Sequence, residues 1–284
     1  LIKRSGAPRL IESPKPRLKQ MQTQILTQIL GRVPPHRMAH GFVRGRSIRT
    51  FAEPHTGQRV VLRMDLADFF PTFVGARVQA FFRTVGYPEP VADLLGGICS
   101  NVAPAPTFEA RQLYGAPHLP QGAPTSPALS NACFYRVVDC RLAGLAEAAG
   151  AHYSRYADDL AFSGDEAFDR RVDRFATHLA VLLEEEGFRV NHHKTRIMRQ
   201  GVRQRLAGLV TNRRTNVPRP DFDRLKATLT NCGRRGPAGE NREKVEDFRA
   251  HLQGRVAFVA SVNPAKGAKL RALFERIVWE AESK

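Results

Sequence analysis

Three aspartates in this chain have the residue type and placement that a pair of divalent cations would need. Asp158 and Asp159 fall in a turn between two short apolar runs, Tyr153-Ser154-Arg155-Tyr156 and Leu160-Ala161-Phe162. Asp65 closes a third run, Arg59-Val60-Val61-Leu62-Arg63-Met64. An Asp-Asp pair alone is ordinary turn chemistry, because short carboxylates bond the nearby backbone. Two strands presenting the pair, with a third aspartate at the tip of another strand, make a different pattern. Nucleotidyl transfer uses two cations, one activating the attacking hydroxyl and one holding the leaving phosphates. Hard cations take carboxylate oxygens, and Mg²⁺ keeps waters and substrate phosphates as its other ligands.

The elements that would carry these groups can be read along the chain. Leu1 to Ile11 reads as a short hairpin with Lys3, Arg4 and Arg9 around Ser5-Gly6, ending at Pro14 and Pro16. Leu18, Met21, Ile25 and Ile29 recur at helical spacing, and Gly31 closes that helix. A loop rich in Pro, Gly and Arg runs through His36, Arg44, Arg46 and His55. Residues 74–117 read as mixed helix and loop, and Pro127 to Ala148 as mostly helical. Phe168, Val172, Phe175, Leu179 and Leu182 mark one face of a helix that Gly187 terminates, with Phe188 to Val190 a short strand beyond. Helix resumes after Arg219-Pro220. Asn263-Pro264 is a cap and first-turn pair ahead of Leu270, Leu273, Phe274 and Ile277. Mixed strand and helix with an all-helical end predicts an α+β fold.

Bulk properties narrow the partner. The 284 residues carry a net charge of +17, which suggests a polyanion. The charge is sorted by segment. Residues 1–63 hold 13 basic and 2 acidic side chains, residues 64–195 hold 11 and 16, and residues 196–249 hold 14 and 6. Two basic lobes flank an acidic middle, as nucleic-acid binding would require; a membrane surface is the weaker reading. No run of 18 apolar residues exists for a membrane span. Cys99, Cys133, Cys140 and Cys232 have neither C-x-x-C nor other ligand spacing, so buried thiols in a reduced, cytoplasmic protein are expected. The nine histidines, His192-His193 included, show no ligand spacing either. The chain opens on Leu1 rather than Met, so its natural start is not read from it.

Four segments in order carry a family resemblance. Arg155-Tyr156-Ala157-Asp158-Asp159 resembles the YxDD box of reverse transcriptases, and Asp65-Leu66-Ala67-Asp68-Phe69-Phe70-Pro71 their first aspartate motif. Leu119-Pro120-Gln121-Gly122-Ala123-Pro124-Thr125-Ser126-Pro127 resembles their LPQG…SP segment, and Asn191-His192-His193-Lys194-Thr195 the motif that follows. The resemblance covers essentially the whole chain. It implies a right-hand polymerase fold, with fingers in 1–58 and part of 74–117, palm in 59–216 and a helical thumb in 217–284. It implies that Asp65, Asp158 and Asp159 hold two Mg²⁺ ions, with Mn²⁺ as a substitute. Phe70 would stand against the sugar of the incoming nucleotide and favour dNTPs, while Phe69 packs in the core. Gln121 would contact nucleotide or template. Lys3, Arg4 and Arg9 resemble fingertip residues that clamp triphosphate, although a solvated hairpin face accounts for each equally well. Lys194 is a candidate proton donor to pyrophosphate, or a surface lysine. Asp68 either approaches the triphosphate or caps the following turn.

Further stretches resemble bacterial retron-type reverse transcriptases and their defence-associated relatives. These are Gly41-Phe42-Val43-Arg44-Gly45-Arg46-Ser47-Ile48, Ala52-Glu53-Pro54-His55, and Phe258 to Pro264 followed by Lys266-Gly267. Phe51 and Leu206-Ala207-Gly208 depart from that pattern, which has Asn and Val-Thr-Gly there. The implied partners are an RNA template and RNA/DNA duplex, dNTPs, a structured noncoding RNA and an effector protein, with antiphage defence as the setting. Arg203, Arg205, Arg213 and Arg214 are candidate RNA contacts. Two other readings stand beside this one: an RNA-templated RNA polymerase, and a non-catalytic RNA-binding scaffold of the same fold.

Overall fold

A computed structural model describes residues 10–104 and 112–279. The expected hairpin cations Lys3, Arg4 and Arg9 lie outside the described residues. Pro16 opens helix α1 (Pro16–Gln28), where its fixed φ suits the first turn. The face differs from the sequence expectation. Gln22 and Ile25 are the buried positions, Leu18 and Met21 stay largely exposed, and the Gln22 side chain donates to the Ile98 carbonyl. A capping box at Ser47 starts α2 (Ile48–Ala52), which leads to strand β1 (Val60–Ala67). That strand runs two residues past Asp65 rather than ending there. Helices α3 (Phe69–Thr72), α4 (Gly75–Thr84) and α5 (Glu89–Cys99) follow.

Next come α6 (Ser126–Phe134) and α7 (Cys140–Ala148), joined by a π turn over Tyr135–Asp139. The hairpin β2 (His152–Tyr156) and β3 (Asp159–Gly164) carries the Asp158-Asp159 turn. The expected single helix after it is two. Asp165 caps α8 (Glu166–Asp169), and α9 (Val172–Glu185) buries Leu183 rather than Leu182. Short strands β4 (Arg189–Val190) and β5 (Arg196–Arg199) precede a second hairpin, β6 (Arg205–Leu206) with β7 (Leu209–Val210). The chain then turns helical in α10 (Arg219–Arg235), α11 (Phe248–Val262) and α12 (Pro264–Phe274). Asn263 caps α12 as expected, its side chain accepting from the Lys266 N–H.

The main sheet runs β2-β3-β1-β4, all antiparallel, with β5 also pairing β1. Side chains alternate along a strand, and β1 uses both faces. Val60, Leu62, Met64 and Leu66 enter a core with α4, α6, α7 and α9. Val61, with Ala161 of β3, enters a second core with α2, the β6–β7 hairpin and the C-terminal helices. Burial on both faces explains why the run reads as continuously apolar. All four cysteines are free and three are buried, but Cys140 is exposed, contrary to the expectation of buried thiols. Among the described residues no helix is long and apolar enough to cross a membrane.

Beneath the β2–β3 turn lies a fully buried guanidinium. Arg155 donates to both carboxylate oxygens of Asp139, Nε at 2.9 Å and Nη2 at 2.7 Å, and neither side chain has any exposure. Its Nη1 reaches Asn131 Oδ1 at 3.0 Å and the Ala157 carbonyl at 3.3 Å. The Tyr153 hydroxyl donates to Asp139 at 2.7 Å, and the guanidinium lies over the Phe134 ring. Burial works against the Arg155 charge, and Asp139 overrides it. The π turn, one extra residue in the helical run, brings Asp139 to this point. Asp139→Asn leaves a buried guanidinium without its counter-charge, so it should cost about 3–5 kcal/mol. Urea unfolding of the two proteins measures this, and a loss under about 1 kcal/mol would mean the pair does not hold the turn.

Candidate active site

The sheet register decides where the carboxylates stand. Asp65 is the direct cross-strand neighbour of Asp159, and Asp159 also pairs with Tyr156. Asp158 sits one residue earlier, and its carbonyl accepts from the Leu66 N–H at 3.0 Å. All three line one cavity of about 590 Å³, together with Phe70, Gln121 and Lys194. The structure thus brings together six of the residues read from sequence. Like charges on facing strands oppose folding. The protein offsets this with two cations: Arg63 donates Nε and Nη2 to Asp159 Oδ1 at 2.9 and 2.6 Å, and Lys194 Nζ stands 3.1 Å from Asp65 Oδ1.

Among the described residues no cation forms such an ion pair with Asp158. Burial first, then the Asp65 and Asp159 charges, push its carboxyl from 3.8 up to about 6. Asp159 is also raised by burial, which the Arg63 guanidinium opposes. Among the described residues, no group of three or more His, Cys, Asp or Glu side chains is arranged to hold a metal ion as the side chains now stand, with Asp65 and Asp159 turned to Lys194 and Arg63. The donor set nonetheless fits Mg²⁺. It is all carboxylate, it carries mutual repulsion that a cation would relieve, and its open cavity leaves room for the waters and phosphates that Mg²⁺ retains.

The other positions separate. Phe69 is core, in contact with Phe73, Phe134 and Phe188, while Phe70 is half-buried at the cavity wall. Gln121 is held by its backbone: its carbonyl accepts from the Glu12 N–H at 2.9 Å, and Gly122 beside it has φ +139°. Asp68 pairs with Arg189 Nη2 at 2.9 Å and sits at the start of α3 without capping it through its side chain. His192 and His193 are exposed in a turn. Arg203, Arg205, Arg213 and Arg214 are all exposed, Arg203 just before the β6–β7 hairpin, Arg205 in it and the other two after it. His55 is fully buried and pushed down to about 3 by burial, so it is a neutral link between Ser154 and Ser163 on the two strands of the main hairpin.

Several contributors went unread in the sequence. Arg63 has a signal: it lies two residues before Asp65, so it shares that residue's face of the strand. Arg155 falls inside a segment singled out above, yet nothing local reveals its partner Asp139. Phe42, Tyr156 and Ala207 also line the cavity. Four of the five non-glycine residues with left-handed φ among the described residues are at this cavity: Phe42, Asp68, Ala157 and Ala207. Strained backbone of this kind collects at functional sites.

Comparison with known proteins identifies the family. Residues 1–221 match the family described as reverse transcriptase (RNA-dependent DNA polymerase). The retron Mx65 reverse transcriptase of Myxococcus xanthus is 43% identical over 94% of this chain and 61% of its own length. The retron Mx162 reverse transcriptase of the same organism is 41% identical, over 93% and 57%. The retron Ec86 reverse transcriptase of Escherichia coli is 29% identical, over 92% and 74%. The chain therefore spans about three fifths of the first two relatives. Among solved structures, telomerase from Candida tropicalis with a fragment of telomeric RNA aligns at TM-score 0.44 and 10% identity, over 86% of this chain and 47% of that one. A foamy viral protease-reverse transcriptase with an RNA/DNA hybrid aligns at 0.41 and 13%, over 84% and 30%.

The raised Asp158 value has a sign. A carboxyl whose folded value exceeds its unfolded one stabilises most below the unfolded value, and that contribution is lost as pH rises through about 6. Asp158→Asn should therefore raise the melting temperature of cation-free protein at about pH 7.5 by several degrees, roughly 3–6 °C. The gain should shrink toward about pH 4. Millimolar Mg²⁺ should stabilise the parent protein more than the variant, because binding to the folded state adds stability. Thermal melts across pH, with and without Mg²⁺, test both statements. A variant less stable at neutral pH and equally responsive to Mg²⁺ would remove Asp158 from the metal set.

Proposed function

Because the chain belongs to the reverse transcriptase family, we propose that it copies RNA into DNA by nucleotidyl transfer at the Asp65–Asp158–Asp159 cavity. The observation that carries this reading is the register pairing of Asp65 with Asp159, which gathers three carboxylates from two strands and a turn at one cavity. These carboxylates would hold two Mg²⁺ ions, with Mn²⁺ as substitute. When bound, the ions supply an activated primer hydroxyl and neutralise the leaving phosphates. The residues of the chain do the rest. Arg63 fixes the Asp159 carboxylate, and Lys194, at hydrogen-bonding distance from Asp65, would donate a proton to the leaving pyrophosphate. Phe70 stands as a bulky wall where a ribose 2′-hydroxyl would have to fit, and Gln121 faces nucleotide or template from its braced turn. Lys3, Arg4 and Arg9 complete the reading as triphosphate contacts from the fingers.

The proposed division is fingers in 1–58 with part of 74–117, palm in 59–216 and thumb in 217–284. The basic flanks are the RNA-binding surfaces in this reading, which extends, as the motif resemblance to retron-type enzymes implies, to a structured noncoding RNA as template, an effector protein as partner, and service in antiphage defence from the cytoplasm. Metal-dependent primer extension with dNTPs and with NTPs is the deciding experiment. Asp158→Asn or Asp159→Asn should abolish synthesis, and Phe70→Ala or Phe70→Val should raise NTP use relative to dNTP. Near-native extension by either aspartate variant would sink the assignment. NTP use as efficient as dNTP use by the parent enzyme would favour an RNA polymerase, and no synthesis at all a scaffold.

Arg213 and Arg214 give a second test. Removing one arginine–phosphate pairing should flatten the log–log salt dependence of duplex binding by about 0.7–0.9. The double alanine variant should therefore bind template–primer more weakly and with a slope smaller by roughly 1.4–1.8 if both arginines engage. An unchanged slope at matched thermal stability would take this segment out of the binding surface.

A further inference from the structure

Phe42 is the residue with the least reason to be where it is. Its φ is +61°, a left-handed conformation that a bulky side chain adopts only under constraint. The residue is 47% exposed, so core packing does not offset the strain. A scattered exposed aromatic on a protein surface is ordinary, but a strained one at a cavity is not.

The constraint comes from both sides. Before it, the backbone pairs with β2: the His40 N–H donates to the Arg155 carbonyl at 2.7 Å, and the Arg155 N–H to the Met38 carbonyl at 2.8 Å. Gly41 lies against the catalytic turn so closely that a Cβ there would stand 2.5 Å from the Ala157 nitrogen, and its carbonyl accepts from the buried Asn131 amide. After it, the Arg46 N–H donates to the Val43 carbonyl, and the Arg46 guanidinium returns to the Arg37 and Ala39 carbonyls. The loop is tied to the same strand and turn that display Asp158, and this placement sets the Phe42 ring 5.9 Å from the Phe70 ring. Phe70 also meets Phe69, edge-on at 5.6 Å, and Phe69 is fixed in the core.

The geometry points to Phe42 as a positioning residue for sugar discrimination: it blocks the cavity-side rotation of Phe70 and so keeps that ring against the 2′ position. The inference rests on the reading of Phe70 as the wall that excludes ribose. Without Phe42, Phe70 has room to turn away and admit a 2′-hydroxyl. The strain is then the cost of delivering a ring to that place.

Phe42→Gly separates function from folding, because glycine adopts positive φ freely. The ratio of kcat/KM for dNTP to that for NTP should fall about three- to tenfold, the range that removing one aromatic pairing converts to. The melting temperature should stay level or rise. Phe42→Tyr should keep the ratio. Phe70→Ala should lower the ratio further, and adding Phe42→Gly to it should change little more, since both act through one ring. A Phe42→Gly ratio equal to the parent's, with Phe70→Ala lowered, would overturn the inference and leave the Phe70 reading intact. Additive effects in the double variant would also overturn it, placing Phe42 on the base or template instead. An unchanged ratio in Phe70→Ala would overturn the underlying reading and this one with it. Should Phe42→Gly fail to fold, Phe42→Leu makes the same comparison.

Discussion

The Asp139–Arg155 ion pair constrains the geometry of everything above it. A guanidinium without solvent must have its charge met and its donors used, and here a carboxylate, an amide and a carbonyl do so. Each partner ties down a different part of the molecule. Asp139 requires the helix between α6 and α7 to carry an extra residue as a π turn. Asn131 passes its other end to Gly41, and so fixes the loop that crosses the catalytic turn. The Ala157 carbonyl fixes the turn itself. Burying an ion pair seldom adds stability over a well-packed apolar replacement. Its value here is geometric: one directional group sets the mutual position of a helix, a loop and the strand β2.

This also explains what the sequence made legible. Asp65, Asp158 and Asp159 lie in short contiguous segments whose spacing reflects strand and turn, and the resemblance of the motifs to reverse transcriptases added Phe70, Gln121 and Lys194, so their meeting at one cavity could be anticipated. The α+β order and the helical end were legible for the same reason. The π turn was not, because an extra residue in a helix leaves no mark on apolar periodicity until its buried partner is known. Asp139 looked like any helix aspartate. The split between α8 and α9 was hidden because its apolar positions keep nearly helical spacing across the break, and the outward Leu18 and Met21 because Gln22 takes the buried place through a bond to a distant carbonyl.

Charge and strain are concentrated in the same few residues. Asp65 faces Asp159 across two strands, Asp158 is pushed toward its neutral form, and Phe42, Asp68, Ala157 and Ala207 hold left-handed backbone around them. Elsewhere the chain obeys its local rules, with Ser47, Asp165 and Asn263 as ordinary helix caps. Locally unfavourable features persist only where the surroundings over-determine them.

The surroundings here are the two cores on either face of β1. A slip of one residue in β1 would turn Val60, Leu62, Met64 and Leu66 out of one core and Val61 out of the other, and it would carry Asp65 to the opposite face from Asp159. Two apolar cores thus fix a register whose local electrostatics oppose it. Asp65 and Asp159 stay on rigid strands and Asp158 in the turn between β2 and β3, while the left-handed residues occupy turns and element ends, Ala157 after β2, Asp68 after β1 and Ala207 after β6. That division lets the strands set the distance between Asp65 and Asp159 independently of the loops that shape the cavity wall. Phe42 belongs to the second class: its loop follows β2 through backbone pairing, so the aromatic wall is referenced to the strand that leads into the acidic turn.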